Sequence, residues 1–117
     1  MNKTLHLPLK AKWYELIEKG IKSEEYREIK DYWIQRLIEM NLFHFEFPTR
    51  EELIEIAEEG RIKEYFRDFN VVKFSYGYTK KTMSFEIDSL SIGIGKTEWG
   101  AEPNKKYFVI KLGRRLE

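Results

Sequence analysis

A chain of 117 residues, 42% apolar and 15% aromatic, is long enough for one hydrophobic core and too short for two ordinary domains, so residues 1–117 read as a single domain. Its 21 basic and 20 acidic side chains leave a net charge of +1, which excludes the basic coat of a sequence-blind phosphate binder; nucleic acid has to be met at a local patch or pocket. The absence of cysteine excludes a disulfide framework and thiolate zinc, and no apolar run approaches the roughly 18 residues that span a bilayer, so the expectation is a cytoplasmic protein without a membrane partner.

Leu5 and Leu7 alternate with polar neighbours and Pro8 stops the run, which predicts a short first strand. From Lys10 to Lys19, Trp13, Leu16 and Ile17 fall on one stripe and Gly20 supplies a helix stop. Between Asp31 and Met40, Trp33, Leu37 and Met40 recur at helical spacing behind Asp31 as N-cap. Phe43, Phe45 and Phe47 alternate with His44 and Glu46 before Pro48, the pattern of a half-buried strand, with a helical continuation as the alternative.

Thr49-Arg50-Glu51-Glu52 matches a capping box, and the helix it opens runs to Glu59 and Gly60. Ile62, Tyr65, Phe66 and Phe69 extend the helical period, so residues 49 to 69 form a helical insert that Asn70 ends. The period then changes to two: Val72, Phe74 and Tyr76 alternate, then Phe85 and Ile87, then Leu90, Ile92 and Ile94 in the opposite phase. That slip near Asp88 and Ser89 predicts a bulge or bend. Gly77-Tyr78-Thr79-Lys80-Lys81 reads as a hairpin turn, and Gly100 to Asn104 as a loop before the strand Tyr107 to Leu112. Strands bracketing helices make an α+β, barrel-like domain.

The segment Gly20-Ile21-Lys22-Ser23-Glu24-Glu25-Tyr26-Arg27 carries a cluster that folding hardly requires. With Gly20 left-handed and residues 23 to 29 extended, Glu25 and Arg27 share a strand face and Lys22 sits at its mouth. Arg27 then fixes the Glu25 carboxylate while Lys22 meets a phosphate or a polarised carbonyl, a trio suited to anion binding or acid/base work. The competing reading is a surface ion pair, worth only about 0 to 1 kcal/mol. Ser23 makes a poor nucleophile for Lys22 to activate, because adjacent strand residues point to opposite faces.

Tyr26, Tyr32, Trp33, Tyr76, Tyr78 and Trp99 lie at strand ends or beside turns, where bases can stack on them, although aromatic side chains also fill small cores. Trp99, beside Gly100, is the ring most expected to be exposed, and Trp33 the one most expected in the core. His44 reads as a strand-face histidine, because His6 and His44 are too few for a histidine metal site; no metal is expected. Glu86 is either an inward carboxylate or part of a polar strand face. Glu51 to Glu59 is a solvated helix face, and Lys80-Lys81, Lys105-Lys106 and Arg114-Arg115 are small basic spots.

At Gly20, Lys22, Glu25 and Arg27 the spacing G-x-K-x-x-E-x-R resembles that of the ASCH domains, a PUA-like group of small barrels. The preceding helix, Tyr32-Trp33, the Gly77-Tyr78 turn and the strand Tyr107 to Gly113 are similar too, so the resemblance covers most of the chain apart from the insert. It implies a small PUA-like β-barrel flanked by helices, with a cleft in which those four residues handle RNA or a modified nucleoside. The expected protein is a monomer that binds RNA or a nucleotide through Gly20, Lys22, Glu25, Arg27, Tyr32 and Trp99, without a cofactor.

A hydrolase is the alternative. Small acetylcytidine amidohydrolases of the wider family use the motif lysine, a threonine where this chain has Glu25, and a distant glutamate, for which Glu86 and Glu98 are candidates. Without the threonine, Lys22 and Glu25 remain as the catalytic pair, with Glu25 the base for a water. Some ASCH proteins are ribonucleases, which a lysine and carboxylate cleft also suits. A third reading is a protein-interaction module built on Thr49 to Phe69.

Overall fold

The computed structural model describes residues 3–117. They form an α+β protein with strands β1 (Thr4–Leu9), β2 (Glu24–Glu28), β3 (Val71–Tyr76), β4 (Thr82–Ile94) and β5 (Lys106–Arg115), and helices α1 (Ala11–Glu18), α2 (Asp31–Leu37) and α3 (Arg50–Glu58). Short 3-10 turns occupy Ile62–Tyr65 and Thr97–Trp99. The strands make one five-stranded sheet in the order β1-β3-β4-β5-β2. No described helix is long and apolar enough to cross a membrane.

Contacts gather the chain into two compact units. One takes the residues up to Glu25 with Asp68–Ser89 and Ile110–Glu117, and the other takes Tyr26–Arg67 with Leu90–Val109. In the first, β1 runs parallel to β3 with Leu5 opposite Val72 and Leu7 opposite Phe74, all four buried. Removing each such side chain from water stabilises the fold by about 1.5–3 kcal/mol. Pro8 sits within β1, opposite Ser75, instead of ending it. A proline is tolerated there because β1 is terminal in the strand order, where its missing N–H costs no ladder bond.

The turn Gly77 to Lys81 joins β3 and β4 as expected: the Tyr76 amide donates to the Lys81 carbonyl at 2.9 Å, and β3 and β4 pair antiparallel. β4 runs as one strand from Thr82 to Ile94, through the Asp88 and Ser89 positions where the alternation changes phase. On α1 the buried residues are Tyr14 and Ile17, with Trp13 and Leu16 only half-buried, so the stripe is turned by about one position from the expected one.

In the second unit α2 is shorter than its periodicity suggests. It ends at Leu37, Lys30 holds the N-cap position in place of Asp31, and the buried residues are Ile34, Leu37 and Ile38. Trp33 and Met40 are half-buried. Ile38 is already extended, bridging to Phe66, while the Arg67 amide donates to the Leu37 carbonyl and the Glu39 amide to that of Tyr65. Those tertiary bonds replace the helical ones that Met40 would have needed.

The expected strand through Phe43, Phe45 and Phe47 is a turn. Asn41 Oδ1 accepts from the amides of Phe43 at 2.9 Å and His44 at 3.3 Å, and this local bonding outcompetes a ladder. His44 is therefore an exposed turn residue rather than a strand-face histidine. The Thr49 capping box is formed, with Glu52 N–H on Thr49 Oγ1 at 3.2 Å and Thr49 N–H on Glu52 Oε1 at 3.0 Å. α3 stops before Gly60 as expected, the φ of +77° there suiting a residue without a side chain, whereas the helical period expected to run on to Phe69 yields only the turn Ile62–Tyr65.

Candidate functional site

The start of the motif is set by the end of α1. Gly20 adopts φ +77°; its amide donates to the Ile17 carbonyl at 3.0 Å and that of Ile21 to Leu16 at 2.9 Å, the paired bonds of a Schellman cap. The Lys22 amide also reaches the Leu16 carbonyl, at 3.1 Å. This turn leaves Ile21 in solvent and drives Lys22 inward, where the residue is 2% exposed. Farther on, the Ser23 carbonyl accepts from the Leu112 amide of β5 at 3.0 Å, fixing the entry to β2.

Once inside, Lys22 Nζ stands 3.0 Å from Glu25 Oε1, three residues on in sequence. Its ammonium also lies 5.0 Å from the centre of the Trp13 ring, which Lys12 Nζ approaches to 4.8 Å. Lys22 is thus not the exposed cation at a strand mouth that the sequence suggests. It is one of two buried, mutually neutralising charges, Glu25 being 6% exposed, and an indole π-face adds favourable electrostatics. Trp13, which periodicity assigns to the core stripe, is a wall of this site.

Arg27, also on β2, belongs to the second unit together with Tyr32 and Trp33. Its guanidinium lies 4.9 Å from the Trp33 ring centre, Tyr32 meets Trp33 edge-on at 4.9 Å, and Arg36 lies 5.3 Å from the Tyr32 ring and 5.7 Å from that of Trp33. Two guanidinium groups and two rings therefore make one cation–aromatic cluster, with Tyr32 57% exposed. Arg36 escapes a reading of the sequence because its partners are one turn back on α2, at a spacing equally ordinary for a solvated helix face.

Other sequence candidates have different roles. Trp99, expected to be the most exposed ring, is half-buried and carries Lys96 Nζ 4.4 Å above it, whereas Tyr78 stands free at its turn. Tyr26 accepts a hydrogen bond from the Lys96 amide at 3.0 Å and packs on Tyr107, a structural position. Tyr76 packs edge-on against Tyr14. Glu86 pairs with Arg114 at 3.0 Å on a polar strand face, and Glu98 is exposed in its 3-10 turn. Lys105 is held between Glu28 at 2.9 Å and Glu102 at 3.0 Å; its hydrogen bond and charge hold the Glu28 carboxyl below the usual range. Among the described residues no cluster of three or more histidine, aspartate or glutamate side chains is placed to hold a metal ion.

No protein-family model matches the chain, and neither a curated protein nor a solved structure matches it significantly.

Proposed function

We propose that this chain is a PUA-like barrel of the ASCH kind that binds RNA or a modified nucleoside through the segment Gly20 to Arg27. The observation that carries the reading is the buried Lys22–Glu25 pair. A buried ion pair adds little net stability, and apolar residues of similar volume commonly serve a core as well or better. A lysine and a glutamate in that place therefore ask for a role besides packing. A phosphate or base carbonyl offered to Lys22 exchanges one partner for another, while Glu25 can accept from an exocyclic amino group. The cluster of Arg27, Tyr32, Trp33 and Arg36 has the chemistry on which bases stack. A net charge of +1 accords with recognition by a pocket rather than a coat.

Retention of a short structured RNA and of free nucleosides by wild type, Arg27→Ala and the double variant Lys22→Met with Glu25→Leu tests this. Both variants are expected to stay folded and to lose affinity by about tenfold or more, roughly one charged hydrogen bond each. Unchanged affinity in both would sink the proposal.

The same 3.0 Å separation favours hydrolysis as a second reading. Glu25 is then the general base for a water, and Lys22 stabilises the negative charge that develops on an acyl or phosphoryl oxygen. Mass-spectrometric analysis of acetylcytidine, other acylated nucleosides and RNA after incubation decides it. Product that vanishes with Glu25→Gln while circular dichroism shows the variant still folded supports a hydrolase, and no product with any of these substrates removes the reading.

A further inference from the structure

The turn after α2 presents Leu42, Phe43 and Phe45 to solvent at 75%, 92% and 77% exposure. Single exposed apolar residues are ordinary, but three large ones within four positions form a patch that costs solubility. The turn is built rather than slack. Asn41 and Glu46 bridge it, with the Asn41 amide on the Glu46 carbonyl at 2.8 Å and the Phe45 amide on the Asn41 carbonyl at 2.7 Å, and Asn41 Oδ1 holds the two amides in between. Phe45 has φ +55°, a conformation that glycine or asparagine adopts more cheaply. Solvation and backbone energy therefore both argue against phenylalanine there, and the fold gains little from it.

Charge indicates what covers the patch. Between residues 42 and 59 the chain has six glutamates and one arginine, in a protein whose net charge is +1. Glu58 faces Lys106 and Glu59 faces Arg61, while Glu52 closes the capping box. Glu46, Glu51 and Glu55 make no ion pair among the described residues. Glu51 is six residues after Phe45, within about 20 Å along the chain. This acidic stretch beside the patch in sequence repels phosphate, whether of nucleic acid or of an anionic membrane, and a twofold contact between copies would bring like charges together.

We propose that the turn Leu42 to Phe45 is a docking knob for a protein segment with an apolar stripe flanked by lysine or arginine. Phe43 and Phe45 are the anchors and the glutamates of α3 set register and attraction.

The probe is a short amphipathic helix of leucine and lysine, with a leucine–glutamate helix as control, measured by fluorescence anisotropy against the full chain. Wild type is expected to bind the basic helix in a salt-sensitive way and to ignore the acidic one. Replacing Leu42, Phe43 and Phe45 together by serine should lower affinity by about tenfold or more while leaving the thermal midpoint unchanged. Glu51→Gln with Glu55→Gln should weaken binding and flatten its salt dependence. Equal binding by the triple variant, or of the acidic helix, overturns the proposal, and so does a lowered midpoint, which would make the turn part of the fold. A wild-type dimer in ultracentrifugation that the triple variant splits, or vesicle binding that it loses, would assign the turn to a second copy or to lipid and overturn it equally.

Discussion

Lys22 Nζ and Glu25 Oε1 are 3.0 Å apart with their side chains only 1% and 8% exposed. Each ion has given up hydration worth several kcal/mol, which the mutual attraction roughly restores. Lys22→Ala or Glu25→Gln alone removes one side of this buried pair, and either should lower the unfolding free energy by about 3–5 kcal/mol. Lys22→Met with Glu25→Leu should recover most of that loss. Urea unfolding of the three variants is the check, and full stability in either single variant would show that the pair is reached by water.

Gly95 occupies a place that no larger residue fits without movement. A Cβ there would lie 2.7 Å from Ala101 Cβ and 2.9 Å from Tyr26 Cζ. The Tyr26 ring is anchored, since its hydroxyl accepts from the Lys96 amide. Gly95→Ala is therefore expected to cost about 1–3 kcal/mol, seen as a lower urea midpoint at constant m-value.

The capping box on α3 gives a smaller and cleaner number. Thr49→Ala removes the acceptor for the Glu52 amide and should cost about 1 kcal/mol, with Thr49→Ser close to wild type. Chemical denaturation of both variants followed by circular dichroism measures the difference.

Tyr14 sets an alkaline limit. Burial, and next the nearby Glu18 charge, push its phenol above the ordinary value near 10, with Arg115 opposing. A folded pKa above the unfolded one contributes stability that is complete below pH 10.0 and lost as pH rises through the folded value. Its hydroxyl has no hydrogen-bond partner among the described residues. Tyr14→Phe should therefore raise stability by about 1 kcal/mol at neutral pH and flatten the alkaline decline. Unfolding free energies on either side of pH 10 test both parts.

Much of the architecture is legible where local chemistry and tertiary packing agree. Gly20, Thr49 with Glu52, and the alternation of Leu5 and Leu7 each name their element and approximate boundary in advance. The readings that fail share a cause: a nearby polar group or a distant strand outbids the local period. Asn41 turns the phenylalanine alternation into a tight turn, and the bridge from Ile38 to Phe66 stops α2 three residues short of Met40. At the candidate site, the residue types and spacing of Lys22 and Glu25 are visible, but the burial of Lys22 is not. Lysine is almost never fully buried unless paired, and only the Schellman turn reveals that it is directed inward.

Pro8 bears on how these molecules behave when crowded together. A terminal strand offers its outer amides and carbonyls to any other chain that can lie alongside, the usual first step toward ordered aggregates. In β1 the ring at position 8 supplies no amide, and the exposed His6 adds bulk on the same face. Replacing Pro8 by valine would complete the row of donors, and the protein would be expected to deposit fibrillar material from concentrated solutions that the proline keeps clear.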